Sequence, residues 1–417
     1  MGDLMSDQEI IAAAQQQIKH VFVLMLENRS FDHMFALSGI PGIVAATNAN
    51  TNTYQGVSYP FQGGAPAQMP TDPGHEFEDT VEQLCGEGVH YVPRQPYPSV
   101  NGSGFVANYA TTSTEGTPPS IADVDKIMRG IDIKTQSPAL YQLANNFVLC
   151  DGWRSSLPGP TWPNRYFLHG ASSSGLDHSP TSVELGEWET FDGFTYPHGS
   201  IFDSLGKANY RLYQDESGSE LGRVPQVASL KGISFYDVRN LGDLEQDLKG
   251  EYGYQYTFIE PSFGDIAGNT YEGGSSQHPM DGLAGGDILV ARVYNTLRNS
   301  PLWEMSLLVV LYDEHGGFYD SVVPGNAPTP DDGAGAGLNK RGFDFSVYGV
   351  RVPAIVVSPW VASGRIDHTV YDHTSILATL ERLFGLNPLT ERDKAANDLL
   401  SLVSSTLRTD CPERIGS

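Results

Sequence analysis

A largely parallel α/β sheet flanked by helices is the architecture this sequence predicts, on three observations. Short apolar runs rich in β-branched residues recur from 18 to 358 without a polar alternation, as in strands buried on both faces. Helical patterns alternate with these runs up to residue 385, and strand–helix alternation is what parallel crossovers require. Finally, 45 Gly and 27 Pro in 417 residues indicate long ordered loops inserted into that framework.

Taken in order, residues 7–17 read as a short helix leading into a first strand at 18–26, IKHVFVLML. A helical turn follows at 31–37, and 39–74 read as irregular loop, rich in Gly, Pro, Ala, Asn and Thr. DPGHEFEDTVEQLCG predicts a helix with Asp72 as cap, Pro73 at its first position and His75 in its opening turn. Residues 86–120 are loop-like, 137–145 a helix and 147–150 a strand. In DGWRSSLPGPTWPNRYFLHG, Pro158, Gly159 and Pro160 force a tight turn, and Pro163 is tolerated in the first turn of the helix after it. A helix is expected at 200–206, a strand at 210–213, a helix at 238–249 and a strand at 254–260. The loop SSQHPMDG then leads to a helix at 281–299, whose buried face is Ile288, Leu289, Val290, Val293 and Leu297. After the strand LLVVL at 307–311, residues 321–347 read as a flap over the site, 350–358 as a strand, 371–384 as a helix and the rest as a partly ordered tail. The division is a lead-in at 1–17, a single domain at 18–385 with insertions at 39–74, 86–120 and 321–347, and a tail at 386–417.

Charge and cysteine usage narrow the function. A net charge of −25 opposes binding to nucleic acid and to anionic membranes. Three cysteines, Cys85, Cys150 and Cys411, give no disulfide framework, at most one bridge, and no metal-type spacing. No stretch reaches the length of a transmembrane segment. MGDLMSDQEIIAAAQQQ lacks the basic region and apolar core of a signal peptide. The compartment stays open: cytoplasmic as written, secreted or periplasmic if a leader was trimmed.

The chemistry lies at two strand ends. LLVVLY stops in Asp313, Glu314 and His315, then Gly316 and Gly317; IKHVFVLML stops in Glu27 and Asn28. Carboxylates at the end of a buried strand are costly without a partner, and ligands of open α/β sheets bind at the carboxyl ends of strands. A cation shared by both ends offsets the cost. Thr161, at a helix start, is in the ordinary place for an N-cap, and equally where a fixed hydroxyl attacks a phosphoryl group. Asn164 and Arg165 supply a neutral donor and a cation suited to phosphate oxygens. His75 and His278 are candidate site histidines, with a solvated surface role as the alternative.

Together, ENRSFDH, GPTWPNR, QHP, DEHGGFYD and a late HTS resemble, in this order, the bacterial and plant phosphoesterase family of non-specific (phosphatidylcholine-type) phospholipases C and related acid phosphatases. The resemblance runs from Ile18 to Phe384. It implies an alkaline-phosphatase-like fold and hydrolysis of phosphate esters, phospholipid among them, by a metal-assisted hydroxyl. By motif, Glu27, Asn28, Thr161, Asp313 and Glu314 would hold one divalent metal ion, with Asn28 also touching phosphate. Thr161 would be the nucleophile, forming a phospho-threonine, and His75, His278 and His373 would surround the transferring group. Such an oxygen-only set favours calcium, magnesium or manganese, with zinc compatible. His315 would orient Glu314. Tyr109, Trp153, Trp162, Tyr166 and Trp360 are available for a choline cage, with packing as their ordinary role. The alternatives are an acid phosphatase acting on monoesters with the same site and an inactive binding protein of the same fold. A sulfatase is excluded by a threonine where that class needs a convertible cysteine or serine. The secreted relatives' export signal and the C-terminal extension of some haemolytic relatives are not seen in the sequence.

Overall fold

A computed structural model describes residues 6–416 apart from 191–192, 219–222, 267, 269 and 334–336. Its centre is a mixed eight-stranded sheet. In chain order the strands are β1 (His20–Leu26), β2 (Val148–Cys150), β3 (Tyr210–Gln214), β4 (Val238–Asn240), β5 (Tyr256–Glu260), β6 (Ser306–Tyr312), β7 (Ala354–Val357) and β8 (Arg365–Asp367). Across the sheet the order is β8-β2-β7-β6-β1-β5-β3-β4. β1 lies between β6 and β5, parallel to both, and every residue of β1 and β6 is buried. The one departure from a parallel sheet is β7, antiparallel to β6 and β2.

The helices differ from expectation in instructive ways. The helix expected from Asp72 starts at Phe77, where Glu76 and Asp79 form a capping box that outcompetes the Asp72–Pro73 start. Residues 238–240 are the edge strand β4, and the α-helix begins only at Leu244, after a 3-10 turn at Leu241–Asp243. In the Ala284–Arg298 helix, Leu289, Val290, Val293 and Leu297 are buried as expected, but Ile288 is 69% exposed. Helices that were not anticipated include Phe105–Thr111, within the loop-like 86–120, and Ser182–Thr190.

The insertions are not loose loops. Residues 51–54 and 57–60 pair as a hairpin. Phe61, Phe77, Val81, Phe105, Phe318 and Phe343 join a second apolar core beside that of the sheet. Arg351 ties this region to the sheet: buried, it donates to both carboxylate oxygens of Asp320 at 2.7 and 3.2 Å and lies 3.3 Å from Asp32. The two aspartates of the SFDH and GFYD motifs therefore serve structure. Cys85, Cys150 and Cys411 are all buried and free, so the one possible bridge is not formed.

Residues 386–416, expected as a partly ordered tail, carry the Glu391–Ala395 helix and bury Leu399, Cys411 and Ile415. Asp393 caps that helix by accepting from the Thr390 and Leu389 N–H groups at 2.8 Å each. Buried Glu381 faces it, and burial, followed by its contact with Asp393, pushes the Glu381 carboxyl from 4.5 up to about 10. The folded state thus holds a proton that the unfolded chain loses above about pH 4.5, so stability falls as pH rises across that window. Glu381→Gln should escape this loss. We expect it to stabilise by on the order of 1–2 kcal/mol at pH 8 and by little near pH 4.5, read from denaturant unfolding at both pH values.

Candidate active site

The carboxyl ends of β1 and β6 lie side by side, with Leu26 paired to Tyr312, so Glu27 and Asp313 leave the sheet together. Asn28 takes a left-handed backbone conformation, φ 59°, and donates its N–H to Asp313 Oδ1 at 3.0 Å. The same oxygen accepts the Glu314 N–H at 2.7 Å, and Arg29 N–H donates to the Glu314 carbonyl at 3.0 Å. Gly316 (φ 61°) passes directly beneath: a Cβ there would stand 2.2 Å from the Asn28 carbonyl oxygen. Gly316→Ala is therefore expected to displace Asn28, lowering turnover by about 100-fold and stability by roughly 2 kcal/mol, as read by assay and by thermal unfolding.

Thr161 is the first residue of the Thr161–Gly170 helix, with Pro160 as N-cap. Its hydroxyl is no cap; it donates to Asn28 Oδ1 at 3.3 Å. Asn164 holds the preceding Pro-Gly-Pro turn. Its amide donates to the Leu157, Gly159 and Pro160 carbonyls, and its oxygen accepts from the Leu157 N–H. That corrects its expected role, because it has no donor left for a phosphate. Arg165 needs the same correction. One helical turn below Thr161, it is buried against carboxylates: its Nε donates to Asp313 Oδ2 at 3.0 Å, and Glu260 and Glu27 lie 3.6 and 3.8 Å from its guanidinium. Glu260, at the end of β5, was missed, although YTFIE ends in an acid just as the strands before Glu27 and Asp313 do.

A cavity of about 420 Å³ opens over these strand ends, lined among others by Glu27, Thr161, His75 and His278. No described residue of 321–347, the segment expected as a flap, lines the cavity; Leu185, Glu189, Val224, Phe263 and Ile266 line it instead. Of the five aromatic residues available for a cage, only Trp162 lines it, and Tyr271 was missed.

The three histidines have different settings. His75 Nδ1 is 2.8 Å from the Pro73 carbonyl, while Nε2 faces the Asn28 amide at 3.4 Å and Glu115 at 3.8 Å. Burial presses His75 down, but Glu115, Glu314 and Asp72 overcome it and hold the imidazole well above its ordinary range. His278 lies 3.6 Å from Asp72 and is stacked on Tyr271. Burial, with the charges of His75 and Arg29, keeps it well below the ordinary histidine range, and burial pushes Asp72 up to about 8. His373 stands apart. Its Nε2 donates to the Asp313 carbonyl at 2.6 Å, and its Nδ1 accepts from the Trp153 indole at 3.3 Å. With both nitrogens committed and no place on the cavity lining, it positions Asp313 rather than meeting the transferring group. Sequence reasoning missed Asp72 as a site residue, having read it as a cap, and Glu115, which sits in a loop without any pattern.

The donor set leaves buried carboxylate oxygens without partners. Glu27 Oε2 and Glu314 Oε1 are buried with no hydrogen-bond partner. Glu314 Oε2 is held by the Gly316 N–H at 2.7 Å and by His315 at 3.2 Å, and His315 is fixed in turn by Gln83 at 2.7 Å. Burial pushes Glu27 and Asp313 upward against the opposing Arg165. Among the described residues no three His, Cys, Asp or Glu side chains are drawn into a ready-made metal cluster. The oxygen donors and the unmatched buried negative charge nevertheless fit a hard cation.

In comparison with known proteins, residues 18–387 match the Phosphoesterase family. The chain is 34% identical to non-specific phospholipase C6 of Arabidopsis thaliana, over 95% of this chain and 75% of that protein. It is 27% identical to Phospholipase C B of Mycobacterium tuberculosis, over 92% and 77%. Among solved structures it resembles an alkaline phosphatase superfamily protein from Vibrio parahaemolyticus at TM-score 0.38 and 12% identity, over 94% of this chain and 79% of that one.

Proposed function

The chain belongs to the phosphoesterase family, a hydrolase of phosphoric ester bonds, and from that footing we propose that it is a phospholipase C-type phosphodiesterase working through Thr161 and one oxygen-ligated divalent cation. The observation that carries this reading is the Thr161 hydroxyl: held on Asn28, it borders the same cavity as Glu27, His75 and His278.

Glu27, Asn28, Thr161, Asp313 and Glu314 would hold the cation, with calcium, magnesium or manganese suited to the donors and zinc compatible. Its chemistry when bound is Lewis acidity, which lowers the pKa of an alcohol and neutralises phosphoryl oxygens. The residues do the rest. Asn28 Oδ1 aims the Thr161 hydroxyl, and the N-terminus of the helix favours the anionic group that Thr161 attacks. Having released its proton to solvent, the Thr161 oxygen displaces the leaving alkoxide from phosphorus, giving a phospho-threonine ester. His75, with Nδ1 on the Pro73 carbonyl and Nε2 at the cavity, gives that alkoxide a proton and then takes one from the water that cleaves the ester.

The lining favours a diester. Among the described residues it contains no Lys or Arg, and Glu115 and Glu189 face the space beside Trp162, Leu185, Val224 and Ile266. A monoester dianion needs cations around three free oxygens, whereas a diester carries one charge and a second substituent for the apolar wall. The test is hydrolysis by chelator-stripped protein with metals restored singly, on a phosphocholine diester and a simple monoester. We expect diester cleavage to return with a hard cation, by at least about 100-fold over the stripped protein. Cleavage of the monoester alone would replace this reading with the acid phosphatase.

A further inference from the structure

His278 is held on every side, and its partners decide its protonation. Met280 donates its N–H to His278 Nδ1 at 3.3 Å, so that nitrogen carries no proton and the ring hydrogen sits on Nε2. The loop that makes this contact is fixed. Arg29 donates to the Gln277 and His278 carbonyls at 2.8 and 3.2 Å, and Gln277 holds a left-handed φ of 69°. Tyr271 lies flat on the imidazole, ring centroids 3.5 Å apart. Asp72 reaches the site because two strips of chain are joined: Gln68 donates to the Met280 carbonyl at 2.6 Å, and Met69 N–H to the Pro279 carbonyl at 2.8 Å. One Asp72 oxygen, Oδ2, is 3.6 Å from His278 Nε2; the other, Oδ1, is buried without a hydrogen-bond partner. The 3.6 Å separation is longer than a full hydrogen bond and leaves the Nε2–H free to be shared with an oxygen in the cavity.

We propose that Asp72 is a positioning residue that keeps His278 a neutral Nε2–H donor aimed at a phosphoryl oxygen, so that His278 stabilises charge and exchanges no proton. A base at this position would have to protonate Nδ1 and give up the backbone bond from Met280. The proposal rests on the phosphoesterase reading above and adds a division of labour to it: His75 moves protons, and His278 polarises. The charged and titratable groups facing His278 are Asp72, His75, Arg29 and the Tyr271 phenol.

The test has two arms on the full chain. The first reads the His278 ring nitrogens by long-range 1H–15N NMR, with His278→Gln for assignment. We expect a bare Nδ1 and a protonated Nε2 that do not change from about pH 5.5 to about pH 8.5, and a mixture of tautomers in Asp72→Leu. The second is kinetic. Asp72→Leu should lower kcat by about 10–100-fold at nearly constant KM, and Asp72→Asn, which still accepts from Nε2–H, should stay within about threefold of the parent. His278→Gln, still an N–H donor, should keep the acid limb of the kcat profile and exceed His278→Ala by about tenfold. A His278 that titrates in this range, a proton on Nδ1, or an unchanged kcat in Asp72→Leu would overturn the proposal. Because the NMR arm needs no turnover, a parent protein inactive on both esters would refute the diesterase reading while the tautomer is still decided.

Discussion

Thr161→Ala is expected to lower diester turnover by about 10⁴-fold or more, with KM nearly unchanged and the fold intact. The size follows from the proposed role: removing a nucleophile removes the covalent route, and residual catalysis comes only from the surrounding charges. The selectivity follows from the contacts. The Thr161 hydroxyl makes one hydrogen bond, to Asn28, and does not cap its helix, so its loss should cost less than about 1 kcal/mol of stability. The apolar wall at Trp162, Leu185 and Val224 is untouched, so ground-state binding should persist. Thr161→Ser, which keeps the oxygen, should retain measurable turnover. Steady-state kinetics on the three proteins, with thermal unfolding as the control, separates these expectations.

Arg165→Met should produce the largest loss of stability, about 3–5 kcal/mol in denaturant unfolding. One buried guanidinium faces Asp313, Glu27 and Glu260, and also donates to the Met25 and Leu26 carbonyls at 3.4 Å each. Its removal leaves three buried carboxylates without their cation. The sign with pH follows. Burial already pushes Glu27, Asp313 and Glu260 upward, and Arg165 is what opposes it. Without Arg165 the folded state holds these protons to still higher pH, while the unfolded carboxyls release theirs near about pH 4 to 4.5. The deficit of the variant should therefore be small near pH 4 and grow as pH rises to 8. A deficit that does not change with pH would mean that packing, not charge, is what Arg165 supplies.

Much of the centre could be read from the chain because burial imposes a visible pattern. A strand covered on both faces must be apolar throughout, so the switch to Glu27–Asn28 and to Asp313–Glu314 marks where β1 and β6 leave the sheet. What was not legible depended on direction in space. Asn164 and Arg165 have the chemistry of phosphate binders, but the helix turns one toward the Pro-Gly-Pro carbonyls and the other toward buried carboxylates. Asp72 and Pro73 make a plausible helix start, and only the competing Glu76–Asp79 box, four residues on, frees Asp72 for His278. Glu115 owes its place beside His75 to a loop pinned when Thr112 and Thr114 donate to Asp79 at 2.5 and 2.6 Å, a tertiary contact without local pattern. The reversed direction of β7 likewise left no mark on AIVV, which reads as any buried strand would.

In the proposed mechanism, phosphorus is transferred to Thr161 before it reaches water. The most direct measurement is to quench the metal-loaded protein in acid during turnover of the phosphocholine diester and map its peptides by mass spectrometry. We expect the phosphocholine group on Thr161 and on no other residue, at a level that disappears when substrate is exhausted. Turnover with Thr161 unmodified at every quench time, together with Thr161→Ala cleaving the diester at the parental rate, would contradict the account.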